Sequence, residues 1–253
     1  MELTDTHTHP YYSEDAEGFV RRAIDAGVTT MVMPNVDLKS VNAMQRLRKA
    51  FPENLYMAMG LHPTEVKEDA DVVLEELLKE LGNGDDYVAV GEVGIDLYWD
   101  KTFREKQMQI FEKQLQIAQK LGLPTIIHCR EALDETLEVL QGNSRQKAVF
   151  HSFGGTRDDV ERIMSLGENF YFGINGIVTF KNSGLKDVIP AIPSERILLE
   201  TDSPYLAPVP FRGKTNESAY LTHIAQAVAS ACGCSLEEIA RKTQANAKNF
   251  FRF

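Results

Sequence analysis

Short apolar runs rich in β-branched residues recur along this chain, and an amphipathic stretch follows each of them. Runs near 2–6, 29–35, 54–60, 87–92, 124–129, 147–152, 169–174 and 197–202 have the length and composition of strands. Between them the apolar positions fall at helical spacing, as at Phe19, Val20, Ala23 and Ile24, or at Phe103, Phe111, Leu115, Ala118 and Leu121. Two helix starts place a hydroxyl three residues before a carboxylate, Thr102 with Glu105 and Ser235 with Glu238, which predicts a capping box at each. Gly27 and Gly122 stand where the preceding helices should stop.

Eight strands separated by helix-sized gaps predict a parallel sheet, because parallel strands need a long crossover, and eight such units close a (β/α)8 TIM barrel. The rival is a doubly wound open sheet. Its dinucleotide-binding form needs Gly-x-Gly-x-x-Gly after the first strand, where this chain has His7-Thr8-His9-Pro10. The length of 253 residues suits one barrel, no low-complexity linker divides it, and residues 1–253 read as one domain. The segment 204–217, with prolines at 204, 208 and 210, reads as the loop after strand eight.

Composition narrows the setting. With 43% hydrophobic and 25% charged residues, no apolar run near the ~18 residues of a membrane span and no leader-like start, a cytoplasmic protein without membrane contact is expected. Three cysteines, none in a zinc-finger spacing, predict reduced thiols. A formal net charge of −10 argues against coating long nucleic acid, which takes a broad basic footprint, and leaves room for a terminal or short segment. No obligate protein partner is evident.

The histidines change the picture. Barrel active sites form at the carboxyl ends of strands. His7 and His9 end strand one, His62 follows strand three, His128 ends strand five and His151 ends strand six, so five of six share one rim; His223 lies in a late helix. One histidine in an apolar run is ordinarily a core residue, but five on one rim are not so explained. Glu92 ends strand four and Asp202 strand eight, and buried acids are rare unless paired or coordinated. His7 and His9, two apart, face the same way, whereas Thr8 faces the other. Imidazole with carboxylate suits zinc, manganese or a related divalent ion, and a pair of such ions can activate water and steady a leaving oxygen. The acids of 68–71 and 75–76 read as a solvated helix face.

Asp5-Thr-His-Thr-His9, Gly60-Leu-His-Pro63, Gly91-Glu-Val-Gly-Ile-Asp96, His128-Cys-Arg130, His151-Ser-Phe153 and Glu200-Thr-Asp-Ser-Pro-Tyr-Leu-Ala-Pro208 together resemble the TatD-type metal-dependent deoxyribonucleases, nearly end to end and in that family's order. The resemblance implies a centre of two divalent ions (Mg, Zn or Mn) held by His7, His9, Glu92, His128, His151 and Asp202, and hydrolysis of DNA phosphodiesters from the 3′ end. It implies that Asp202 binds one ion and orients or deprotonates the attacking water, that Glu92 touches both ions, and that His62 and Arg130 face the substrate phosphate, with Tyr205 and Arg212 as further substrate contacts. The loop Arg212-Gly-Lys-Thr-Asn-Glu-Ser218 ends on serine where the family tends to proline, a departure that bears on loop rigidity and substrate fit more than on the metals.

Tyr98, Trp99, Phe180, Tyr205 and Phe211 follow strands, where aromatic faces could stack on bases or simply plug the barrel end. Arg130, Arg212 and Lys214 are either phosphate contacts or solvated charges. The metals alone do not choose the bond, so hydrolysis of an ester, amide, lactone or aminoacyl-RNA linkage is the enzymatic alternative. A non-catalytic metal-stabilised scaffold is the alternative from another class. Related barrels bridge their metals with a carboxylated lysine on strand four, and Glu92 in its place favours the deoxyribonuclease branch.

Overall fold

A computed structural model describes residues 1–82 and 87–253. The strands are β1 Leu3–Asp5, β2 Val28–Pro34, β3 Leu55–Met59, β4 Tyr87–Asp96, β5 Thr125–Arg130, β6 Ala148–Phe150, β7 Phe170–Ile174 and β8 Ile197–Leu199. The helices are α1 Ala16–Asp25, α2 Leu38–Ala50, α3 Ala70–Gly82, α4 Arg104–Leu121, α5 Leu133–Gln141, α6 Arg157–Ser165, α7 Leu185–Val188, α8 Leu221–Cys232 and α9 Leu236–Phe251. The sheet runs β1 to β8 in sequence order with parallel neighbours throughout. Its ends meet: Thr6 N–H donates to Leu199 O at 3.0 Å, Asp202 N–H to His7 O at 2.9 Å and His9 N–H to Ser203 O at 2.9 Å. Asp5 reinforces the seam by accepting the Thr201 N–H at 2.9 Å and its hydroxyl at 2.6 Å. The expected TIM barrel is therefore present, and the open sheet is excluded.

Two apolar clusters follow from strand alternation. Residues such as Met33, Met57, Ile127, Phe150 and Phe172 face outward and pack under the helices. Val32, Ala58, Ala89, Ile126, Val149, Tyr171 and Leu198, one from each of seven strands, meet in a second cluster with Ala247, Phe250 and Phe251 of α9. Seven strands can share one cluster only inside the barrel. Helix α9 thus stoppers the amino-terminal end with two phenylalanines, and everything above that layer is free for chemistry.

Two local expectations need correction. The box expected at Thr102–Glu105 does not form: Thr102 N–H donates to Asp100 Oδ1 at 2.8 Å, α4 starts only at Arg104, and Glu105 pairs with Arg104. A local aspartate captured the threonine first. At α9 the Ser235 hydroxyl does accept the Glu238 N–H at 3.1 Å, but the Glu238 carboxylate reaches Lys242 at 3.4 Å. Reciprocal boxes occur instead at Asp37–Ser40 and Thr156–Asp159. Gly122 closes α4 in the left-handed region as expected, Gly27 lies at φ 89° just beyond α1, and all three cysteines are free. No helix among the described residues is long and apolar enough to cross a membrane.

Candidate metal centre

Strand β4 runs to Asp96 instead of ending at Glu92. Gly91 and Gly94 let the strand continue close against β5: a Cβ on Gly91 would lie 2.6 Å from Ile126 Cβ, and one on Gly94 only 2.0 Å from His128 O. The register of β4 against β5 shifts between Val90 and Val93, and that irregularity turns the Glu92 side chain into the barrel. His128 lies within β5, while His7, His9, His62, His151 and Asp202 follow the last residues of their strands. Asp202 adopts φ 56°, a left-handed conformation that aspartate tolerates.

These residues converge. His7 Nε2 lies 3.1 Å from His9 Nε2 and 3.2 Å from Glu92 Oε2. His128 Nδ1 is 2.7 Å from Glu92 Oε1, and His151 Nε2 is 3.7 Å from the same oxygen and 3.8 Å from Asp202 Oδ2. His9 Nε2 is 3.8 Å from Asp202 Oδ1. Ligand atoms fall into three groups, each within 4.8 Å: His7, His9 and Asp202; His7, Glu92 and His151; His62, Glu92 and His128. Two of these groups share Glu92 and two share His7.

Behind the inward nitrogens stands a second layer that fixes which of them carries a proton. Tyr11 O–H donates to Pro34 O at 2.5 Å, because a carbonyl can only accept; Tyr11 oxygen must then accept from His9 Nδ1–H at 2.6 Å. A neutral His9 therefore turns a lone pair on Nε2 towards the centre. Asp96 Oδ2 holds His128 Nε2 at 2.8 Å, and Glu200 Oε1 stands 2.9 Å from His151 Nδ1. Glu200 has room because β7 supplies Gly173 opposite it; a Cβ there would fall 2.2 Å from the carboxylate.

His62 differs. Its Nδ1 accepts the Thr64 N–H at 3.2 Å, so in the neutral ring Nε2 bears the proton and points at Glu92 Oε1, 3.3 Å away. Its geometry groups it with possible ligands, but its tautomer makes it a donor into the site. Arg130, Tyr205 and Arg212 lie exposed outside the ligand groups; the Arg212 guanidinium sits 3.8 Å from the Phe180 ring centroid, and His223 packs on Phe211, away from the centre.

Electrostatics favour a bound cation. Asp5, Glu92, Asp96 and Glu200 are buried, and no lysine or arginine is buried among the described residues. Burial, with the charge of neighbouring His151, holds His7 well below its ordinary value, and burial brings His9 down to about 4, so both are neutral donors. Burial would raise Glu92, but the imidazoles of His62, His151 and His7 outweigh it and hold the carboxyl well below its usual range. Burial pushes Asp202 up to about 7. At His151 the carboxylates of Glu200, Glu92 and Asp202 overcome burial and raise the ring to about 10, and at His128 hydrogen bonds to Asp96 and Glu92 raise it to about 8. His7 Nδ1 and His151 Nδ1 are buried without a hydrogen bond, the latter facing Glu200 as an ion pair. This borderline N/O donor set, short of positive charge, fits a divalent ion, which would satisfy together the groups that single protons satisfy pairwise.

The loop after β8 is tied down despite Ser218. Asn216 donates to Thr201 O at 2.9 Å and Tyr205 O at 2.6 Å, Glu217 takes both ends of the Arg22 guanidinium, and the buried Ser218 hydroxyl meets Thr8 Oγ1 at 3.0 Å. Thr8, facing away from the centre, thus anchors this loop to the His7–His9 segment, so a hydrogen bond stands in for the ring constraint of proline.

A parallel (β/α)8 barrel with imidazoles and carboxylates gathered at its carboxyl rim belongs to the metal-dependent hydrolases. Within that class the chain belongs to the TatD-related DNase family, whose model matches residues 4–252. It is 35% identical over 258 residues to an uncharacterized metal-dependent hydrolase of Bacillus subtilis, YabD, covering 99% of each chain. It is also 35% identical to the 3′-5′ ssDNA/RNA exonuclease TatD of Pantoea vagans, covering 97% of this chain and 96% of that one. The crystal structure of YjjV, a TatD homologue from Escherichia coli, superposes with a TM-score of 0.92 at 30% identity over 99% of this chain and 98% of that one.

Proposed function

We propose that this protein removes nucleotides from the 3′ ends of DNA strands by metal-dependent hydrolysis of the terminal phosphodiester. The observation that carries this reading is the convergence of His7, His9, Glu92, His128, His151 and Asp202 in a site short of buried positive charge. Its relatives named as exonucleases support the choice of nucleic acid over a carbonyl substrate. Two divalent ions, magnesium, zinc or manganese, would be held there by His7, His9, Glu92, His128, His151 and Asp202. When bound they polarise the phosphoryl oxygen and lower the pKa of water.

The chain's own residues do the rest. Asp202 orients the attacking water and takes its proton, standing at the open mouth of the barrel and less buried than Glu92. Asp96 and Glu200 keep His128 and His151 in one ring orientation each. His62 offers Nε2–H to a phosphate oxygen, the role its tautomer allows. Arg130, Tyr205 and Arg212 contact the strand outside the centre. Residues 1–253 act as one domain in this reading.

The decisive test incubates metal-loaded enzyme with end-labelled single- and double-stranded DNA beside Asp202→Asn. Shortening from the 3′ end, slowed about 100- to 10,000-fold by the substitution and stopped by chelator, is the expected result. Protein that leaves every strand intact while hydrolysing a carboxylic ester or lactone would overturn it.

A further inference from the structure

The loop from β4 to α4 carries an aromatic pair that hydrolysis itself does not use. Trp99 is 70% exposed and Tyr98 49%, so neither plugs the barrel nor covers a core. Their rings meet edge to face at 4.8 Å, and the Arg130 guanidinium from the end of β5 lies 3.9 Å from the Tyr98 centroid and 5.3 Å from that of Trp99. The pair does not hang free. Asp96 Oδ1 accepts the backbone N–H of Tyr98 at 3.0 Å and of Trp99 at 3.4 Å, while Oδ2 of the same carboxylate holds His128. One side chain thus fixes both the aromatic loop and an imidazole of the metal centre. Across the mouth, after β1 and β8, stand the exposed Tyr12 and Tyr205; in an eight-stranded barrel β4 faces β8.

We propose that Tyr98 and Trp99, backed by Arg130, form a stacking bracket for an unpaired base of the strand whose terminal phosphodiester lies at the metal centre. The inference rests on the nuclease reading above. Exposed rings beside a cation match the π-face and adjoining phosphate of a nucleotide, and stacking tolerates any base because each has such a face. A paired base inside a duplex has both faces covered, so the bracket selects frayed or single-stranded ends. Arg130 also supplies local positive charge in a chain whose net charge is −10.

Trp99 is the sole tryptophan in the sequence, so its emission reports the bracket directly. Short oligothymidylate added to the Asp202→Asn enzyme should quench that emission saturably, and an abasic residue scanned along the strand should abolish the quench at one position. With wild-type enzyme, Trp99→Ala should raise KM for oligonucleotide about 5- to 100-fold and leave kcat within about twofold, whereas Trp99→Phe stays near wild type. Strands cut at the normal rate with no quench, and an unchanged KM for Trp99→Ala, would overturn the bracket and leave the nuclease reading standing. Failure to bind or cut any strand would overturn both.

Discussion

The two halves of the barrel interior are built from the same strand faces and do opposite things. At the amino-terminal end Ile126, Val149 and Leu198 close on Phe250 and Phe251; two residues further along the same strands stand His128, His151 and Glu200. The lower half is apolar and fully packed, and its stabilisation scales with the area it hides from water. The upper half holds ionised and ionisable groups that cost free energy to bury and are tolerable only because each is paired. What separates stability from chemistry here is one step of two residues along a strand.

Removing a group from the upper half should hurt function first. Glu92→Gln deletes the carboxylate that three imidazoles and His128 face, and kcat should fall by at least about 1000-fold. In the metal-free protein the imidazoles around Glu92 hold it ionised, so its loss leaves His128 and His151 short of a counter-charge and the variant should melt below the metal-free wild type. Steady-state turnover and thermal melts in chelator check the two halves of that statement; an unchanged melting temperature would mean that the imidazoles release their protons once the carboxylate is gone.

The lower half should respond the other way round. Phe250→Ala opens a cavity under the barrel and should cost about 3–5 kcal/mol by denaturant titration. Turnover per folded molecule should stay close to wild type. A selective loss of turnover at full folding would break the comparison by coupling the stopper to the site.

Much of this division was legible in the alternation of the chain. His7 and His9 two apart, and His128 and Asp202 near the carboxyl ends of their strands, announce a site from the sequence. The same parity marks Glu200, which is two before Asp202, faces the same way and pairs with His151. Asp96 was visible only as part of a motif, because its partners, His128 and two backbone amides of the next loop, are brought together by the barrel alone. Strand β4 continues past Glu92 to Asp96 because Gly91 and Gly94 let it lie close against β5, a contact that only the neighbouring strand reveals. The stopper of α9 could not be read at all: it joins residues near 250 to strands from Val32 onward, contacts that exist only once the ring has closed.

The supporting layer should give effects between those extremes. Asp96→Asn keeps the shape but weakens the hold on His128, and metal affinity should drop about 10- to 100-fold, read by competition with a chelating dye. Gly173→Ala should act alike without touching any ligand, because the added methyl displaces Glu200 from behind His151. If Gly173→Ala binds metal normally, Glu200 does not position His151.

The smallest effect lies on the outside of the helical layer and calibrates the comparison. Asp71 of α3 reaches Lys113 at 2.5 Å and also Lys106, and hydrogen bonds to these two ammonium groups bring its carboxyl from 3.8 down to about 2. A carboxyl lowered in the folded state stabilises above its unfolded value, so this contribution is complete above about pH 4 and disappears as the pH falls through about 2. Because the pair is nearly half exposed, water screens it, and Asp71→Asn should cost less than about 1 kcal/mol at neutral pH. The difference between variant and wild type should vanish in denaturant titrations near pH 2, and should shrink in high salt at any pH. A larger cost, or one indifferent to salt, would mean that surface pairing rivals the buried carboxylates as a source of electrostatic free energy in this barrel.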